Sequence, residues 1–492
     1  MNAQLKLTRT FVTILSIVLI LSFFGSPVQA SSIQSSNVEK SEGKVVYLFH
    51  EGVDLGPIVT DIQKLDSSAE LEPIEEIATL TVKASNTSKS DSIKHLIQNR
   101  YDTSLEETGD DQTVSVGDVQ TDASRLVLPS TLNAGLQSTA FESSNVNSEE
   151  DSIYEKWLWD INLVTQNGES YALEDGNHDV KIGIVDSGLD FNHPDLKDNI
   201  LSAGESFIEG ITDTQDYMGH GTMVAGSIAA NGHIQGIAPE IGLVPYKVFH
   251  TGNADSSDVI EAIVTAARDD MDVINLSLGV YKSLKDKEEK AVYKAYKRAL
   301  KYAERENSFV VASSGTENIG FDISNAKKLA DARGYPKDSQ LHMPGGLNNV
   351  YTVAATNKDN LLTSYSNFGK NVSIGSPGGD YGPLTDQGIY DVRYMTLTTY
   401  PTNLAQSATS KYAGFEKGYE FMIGTSLAAP KVSATAALVI AEYEEAYGKK
   451  PKVDEIQKIL DKGATKADSK KKFGSGIVNA YESLQLVAKK KK

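Results

Sequence analysis

The chain has 492 residues, 40% of them hydrophobic and 23% charged, which provides for two or three packed domains and excludes disorder throughout. Its 66 acidic against 47 basic side chains give a net charge of −19; this argues against a nucleic-acid-binding surface, although the same acidity can serve solubility as well as a cationic partner. There is no cysteine, so disulfides, thiolate nucleophiles and cysteine-ligated metals are excluded.

Lys6 and Arg9 precede an apolar run from Phe11 to Phe24, and Val28-Gln29-Ala30 supplies a small-residue end. Residues 1–30 therefore read as a secretory signal peptide cleaved after Ala30. An uncleaved anchor is the alternative, although the run is short for a bilayer span. Export predicts a secreted protein, extracellular or loosely associated with the cell envelope. After a Ser-rich lead-in, the pattern strand (Lys44 to His50), helix (Leu55 to Leu65), two strands (Leu71 to Ala84), helix (Ser90 to Asn99) and strand (Tyr101 to Glu107) fills a small domain, residues 31–108. That β-α-β-β-α-β order is the ferredoxin-like arrangement. Residues 109–150 turn to Ser, Thr, Asp, Asn and Gly, as in a solvated linker.

The main domain is expected over 151–488, opening on Trp157-Leu158-Trp159-Asp160, whose aromatics read as core or rim anchors. Val180 to Val185 is an apolar run of strand length that stops at Asp186-Ser187-Gly188, which puts a carboxylate at a sheet edge. Gly219-His220-Gly221 sets a histidine between glycines, close to another backbone. Strands at Leu243 to Phe249, Val273 to Leu278 and Phe309 to Ala312 alternate with helices at Ser257 to Asp269 and Glu288 to Glu306. Such alternation predicts an α/β fold, a parallel sheet covered by helices on both faces, with functional groups at the carboxyl ends of its strands. Two polar, Gly-rich stretches, Ile319 to Asn349 and Asp380 to Glu420, read as extended loops at a substrate rim. Gly424-Thr425-Ser426 then runs into an alanine-rich helix. Ser426 there is either a nucleophile served by a base and by helix N–H groups, or an ordinary loop and N-cap. Val453 to Leu460 reads as another amphipathic helix, and the tail, 489–492, is basic.

The segments around Asp186, His220 and Ser426, in that order, resemble the three signature segments of the subtilisin-like serine proteases; the order itself is a known example of that family. Pro344-Gly345-Gly346-Leu347, Ser364 to Gly369 and Ser376 to Gly382 look more like the branch that removes leaders from lantibiotic precursors. The resemblance implies a secreted serine endopeptidase in which Asp186, His220 and Ser426 form the triad. It implies that Ser277, Leu278 and Gly279 pair with substrate backbone, and that Ser313, Ser314 and Gly315 face them across a specificity pocket. An oxyanion hole would combine the Ser426 backbone N–H with a side chain. The alignment offers Thr316 where relatives usually have asparagine, with Asn318 as the alternative. Acidic Glu317 and Asp322 near the pocket wall would favour a basic residue before the scissile bond.

The same resemblance makes residues 31–108 a propeptide, an intramolecular inhibitor and folding aid, with the maturation cut inside 109–150. The partners expected are a precursor peptide or protein substrate and the propeptide; no nucleic acid is expected, and the protein is expected to be a monomer. No cofactor is needed for the chemistry and no Cys/His/Asp cluster has zinc-ligand spacing. Structural calcium stays open: Asp195 matches a position that often ligates it, but the loop Ala230 to Gly236 looks shortened. Two rivals remain, a broad degradative protease of the same family and a catalytically silent binding or chaperone module.

Overall fold

The structure, a computed structural model, describes residues 40–116 and 152–490. The signal peptide, the linker from 117 to 150 and the last two residues of the basic tail lie outside the described residues. The N-terminal unit comprises β1 (Lys40–Phe49), α1 (Gly56–Leu65), β2 (Glu70–Ile74), β3 (Thr79–Lys83), α2 (Thr87–Arg100) and β4 (Leu105–Val114). Its strands pair antiparallel in the order β2-β3-β1-β4.

The run Val45-Val46-Tyr47-Leu48-Phe49 lacks polar alternation because β1 is buried on both faces. Val45, Tyr47 and Phe49 pack with Ile58, Ile62, Ile93 and Ile97 beneath α1 and α2. Val46 and Leu48 point the other way, into a cluster that belongs to the main domain.

The main sheet has seven strands, all parallel, in the order β12-β11-β10-β9-β5-β7-β6. These are β5 (Lys181–Asp186), β6 (Glu205–Ser206), β7 (Gly242–Lys247), β9 (Val273–Leu276), β10 (Phe309–Ser313), β11 (Tyr351–Thr356) and β12 (Ile374–Pro377). A further short strand, β8 (Ala254–Asp255), lies outside this sheet and pairs with β4 of the N-terminal unit. Side chains alternate between two cores. Ile182, Ile184, Val273, Phe309, Val311 and Val353 lie in the core shared with α3 (Trp159–Thr165), α4 (His220–Ala229) and α7 (Thr425–Tyr447). Val185, Ile274, Leu276, Val310 and Ala312 lie on the face covered by α5 (Ser256–Arg268) and α6 (Lys290–Arg305). In α6 the buried residues Ala291, Val292, Ala295, Tyr296, Ala299, Leu300 and Ala303 recur at helical spacing.

Three expectations need correction. Residues 109–114 are not linker: they complete β4, and Ser115 forms an antiparallel bridge with Gly279. Their acidic, polar character has a buried use, since Asp111 is fully buried and accepts from the N–H and hydroxyl of Ser257 at 3.2 and 2.6 Å, capping α5. The last strand of the N-terminal unit accordingly begins at Leu105, not Tyr101. Nor are the two rim stretches loops throughout. The first holds a helix at Ala326–Ala332 and a strand at Gln340–Met343; the second holds strand Thr396–Thr399, helix Ala408–Tyr412 and the start of strand Tyr419–Met422. Among the described residues, no helix is long and apolar enough to cross a membrane.

Candidate active site

At the carboxyl edge of the sheet β5 ends at Asp186, while α4 begins at His220 and α7 begins one residue before Ser426. Asp186 is fully buried, with its carboxylate oxygens 2.8 and 2.9 Å from Nδ1 of His220. That contact places the ring proton on Nδ1 and makes Nε2 the basic nitrogen. The close approach depends on Gly221, where a Cβ would stand 2.2 Å from the carbonyl oxygen of Gly188.

A residue that sequence reasoning missed holds this corner together. Asp216, fully buried, accepts from the Ser187 hydroxyl at 2.9 Å, from the N–H groups of Met218, Gly219 and Thr222 at 2.9, 2.7 and 3.0 Å, and from the Thr222 hydroxyl at 2.7 Å. A carboxylate four residues before the start of a glycine-flanked helix was the available signal, because an acidic group there meets orphan N–H groups.

Gly424 enters α7 at φ +155° and ψ +158°, a backbone essentially confined to glycine. Pro430 lies inside the helix and cannot bond the carbonyl four residues back, which is that of Ser426. That carbonyl instead accepts from the Ser277 hydroxyl at 2.8 Å. Asn275 orients Ser277 at 3.0 Å and accepts from Ser433 at 2.8 Å, tying β9 to α7. The Ser426 hydroxyl lies 3.2 Å from the carbonyl oxygen of Ser277 and 3.3 Å from that of Val116. To give its proton to His220 it must rotate away from them.

The protein's own chain occupies the cleft. Ser115 exchanges two backbone hydrogen bonds with Gly279, of 3.3 and 3.0 Å, and brings Val116 to Ser426. An extended segment added to a sheet edge in this way is a peptide-binding mode. On the opposite side, the Thr316 hydroxyl oxygen accepts from the Thr425 N–H at 3.0 Å and lies 2.8 Å from the Thr425 hydroxyl. With its lone pair engaged by that N–H, Thr316 has a proton to direct either to Thr425 or to an oxygen entering beside Ser426. The Ser426 N–H, in the first turn of α7, has no intrahelical acceptor. Asn318 is exposed and has no hydrogen bond among the described residues.

The two walls are joined at one point, where the Ser313 hydroxyl donates to the Leu278 carbonyl at 3.4 Å; Ser314 donates to the Asn367 carbonyl at 3.0 Å. The acidic candidates do not face the cleft as free carboxylates. Asp322 pairs with Lys471 at 2.7 Å and with Ser324. Glu317 is half-buried, and burial raises its pKa against the pull of nearby Tyr281 and Arg333. Asp195 is taken up by protein donors: the Ile234 N–H at 3.0 Å and the Tyr419 hydroxyl at 2.8 Å. The first of these donors lies in the loop Ala230 to Gly236 and the second in the strand Tyr419–Met422.

A parallel sheet with this corner defines the class. The subtilase family model matches residues 177–476, and the chain belongs to that family of serine endopeptidases. It is 30% identical over 391 residues to the epidermin leader peptide-processing serine protease of Staphylococcus epidermidis, covering 73% of this chain and 81% of that one. To the nisin leader peptide-processing serine protease of Lactococcus lactis subsp. lactis it is 30% identical over 61% of this chain and 47% of the relative. Among solved structures, the epidermin leader peptide processing protease of Staphylococcus aureus superposes with a TM-score of 0.70 at 26% identity, over 90% of this chain and 98% of that one. A lanthipeptide protease gives 0.62 at 35% identity, over 69% and 97%.

Proposed function

We propose that this protein is an exported endopeptidase that removes the leader from a lantibiotic-type precursor peptide and that its N-terminal unit is its own inhibitor and folding aid. In this reading His220 takes the proton of Ser426 as the hydroxyl attacks a peptide carbonyl and returns it to the leaving amine. Asp186 holds the imidazole in the required tautomer and stabilises its cation. Thr316 and the Ser426 N–H receive the oxyanion. The observation that carries the peptide-substrate reading is the segment Ser115-Val116, paired with Gly279 and set against Ser426. The similarity to two leader-processing proteases supports the narrower substrate class. Export is supported by the pattern of residues 1–30, and a monomer suffices, since every group named comes from one chain.

The test has two arms. A fluorophosphonate should label wild-type protein at Ser426 and leave Ser426→Ala unlabelled; an unlabelled wild type would mean a silent module. Mass spectrometry of products from a peptide library and from an unfolded protein should show cuts confined to one short motif. Degradation of the unfolded protein into many fragments would replace the processing role with a digestive one.

A further inference from the structure

The gap between the two walls is filled from below. Ser277-Leu278-Gly279 runs on into strand Val280–Ser283, which pairs antiparallel with Gln340–Met343 and sets His342 opposite Tyr281. Residues opposite each other in a ladder share a face. His342 is 2% exposed. A Cβ on Gly279 would lie 2.4 Å from its Nε2, and a Cβ on Gly315 2.7 Å from the same atom. The imidazole therefore touches the backbone of both walls at once.

Its surroundings hold it there. The Tyr281 ring packs against it at 5.1 Å, and the Arg333 guanidinium lies 3.6 Å from the centre of that tyrosine ring. Asn367 Nδ2 bridges the Tyr281 hydroxyl at 2.7 Å and the Ser314 carbonyl at 2.9 Å. Burial, and then Arg333, push the His342 pKa down to about 3, so the ring is neutral. Its Nδ1 is buried without a hydrogen-bond partner.

Both walls reach the start of α7, Ser277 through Ser426 and Thr316, next to Gly315, through Thr425. Val114 and Val116 are buried in the apolar cluster that holds Leu278 and Val248, while Ser115 is exposed. The residue after Val116 in the sequence is Gly117, followed by Asp118.

We propose that His342 is the specificity-determining residue of this protease: its imidazole occupies the space a side chain before the scissile bond would need, restricting that position to glycine, alanine or serine. The enzyme's own maturation bond is then Gly117–Asp118. This rests on the protease reading above, and it replaces the expectation of a basic residue at that position.

The full-length chain tests it. Intact-mass analysis should find Asp118 as the new N-terminus of wild type. Gly117→Ala should mature, Gly117→Leu should mature at least about 100-fold more slowly, and His342→Gly in the Gly117→Leu background should restore cutting. The mature wild-type enzyme, which needs no pocket variant to fold, should prefer peptides with Gly or Ala before the cut over Leu, Arg or Glu by about 100-fold or more. A mature N-terminus that follows a bulky or charged residue, or equal rates for Gly117→Ala and Gly117→Leu, would overturn the assignment. Fluorophosphonate labelling of the same preparations separates the two failures: labelled enzyme with the wrong preference sinks only the pocket, whereas unlabelled wild type sinks the protease reading.

Discussion

In the proposed mechanism Thr316 is the side chain that donates to the oxyanion. Its hydroxyl oxygen accepts from the Thr425 N–H, so its proton is left for the Thr425 hydroxyl or for a developing negative charge. In subtilisin, a member of the same family, removing one such donor costs about 10²–10³ in kcat. A hydroxyl with competing use on Thr425 should supply less. Thr316→Val is expected to lower kcat/KM at least about tenfold, roughly 1.4 kcal/mol of transition-state stabilisation. Asn318→Ala should change it little; the reverse pattern in steady-state kinetics would move the oxyanion site to Asn318. A second residue anchors the helix that carries the nucleophile. Lys431, one turn into α7, pairs with Asp160 at 2.9 Å, and the two side chains are 0% and 1% exposed. Asp160→Ala leaves a buried cation unpaired and should destabilise the main domain by about 3–5 kcal/mol, read from urea unfolding. Asp186, His220 and Ser426 stood out in the sequence because motifs with glycines mark them. Asp160 and Asp216 did not: their meaning depends on partners far along the chain or on a turn that only the fold reveals.

Among the elements, β1, β4, α5 and α6 carry the contact between the N-terminal unit and the main domain. Arg298 of α6 donates to the carbonyl oxygens of Phe49 and Ile77 at 2.6 and 2.8 Å and pairs with Glu106. Lys294 meets Glu107 at 2.7 Å. Truncating a charged donor at a contact of this kind costs about 1.5–3 kcal/mol. Arg298→Ala should therefore speed release of the cut N-terminal fragment by at least about tenfold, measured by size-exclusion chromatography over time. The same contact has a pH dependence. Asp258 is pushed up to about 8, by burial first, against the pull of Lys44 and with repulsion from Asp255 and Glu72. Glu261 is pushed up to about 7, by burial and then by Glu72 and Glu205. Both carboxyls hold protons in the assembled state that they lose at about pH 4 when exposed. Their contribution is thus complete below about pH 4 and disappears as pH rises through 7 to 8. Fragment release should be faster at pH 8.5 than at pH 5.5, and faster release at the lower pH would show that Lys44 alone governs the contact. The strands and helices here were legible as apolar periods in the sequence. The extent of β4 was not, because Asp110-Asp111-Gln112 has the composition of a linker and becomes strand only where Asp111 finds the start of α5.

The whole molecule is a protease folded around its own peptide. One face of the N-terminal sheet contributes Val46, Leu48, Ile74, Ile77, Val114 and Val116 to the core beneath α5 and α6. Continuous with that face, the next residues pass through the cleft at Gly279 and Ser426. In the proposed reading the inhibitor and the first substrate are one segment, which would keep the chain inactive until it cuts itself. The sequence carried the family and the catalytic order through local motifs. The closed pocket was invisible there, since His342 lies 63 residues from Gly279 and meets it only through a strand pairing within what read as a loop. The most direct test of self-cutting is the intact mass of purified full-length Ser426→Ala beside wild type, both after signal removal. Wild type is expected to lose its N-terminal unit, while Ser426→Ala keeps that unit in one unbroken chain with the main domain. A normally trimmed Ser426→Ala protein in the purified preparation would contradict self-cutting.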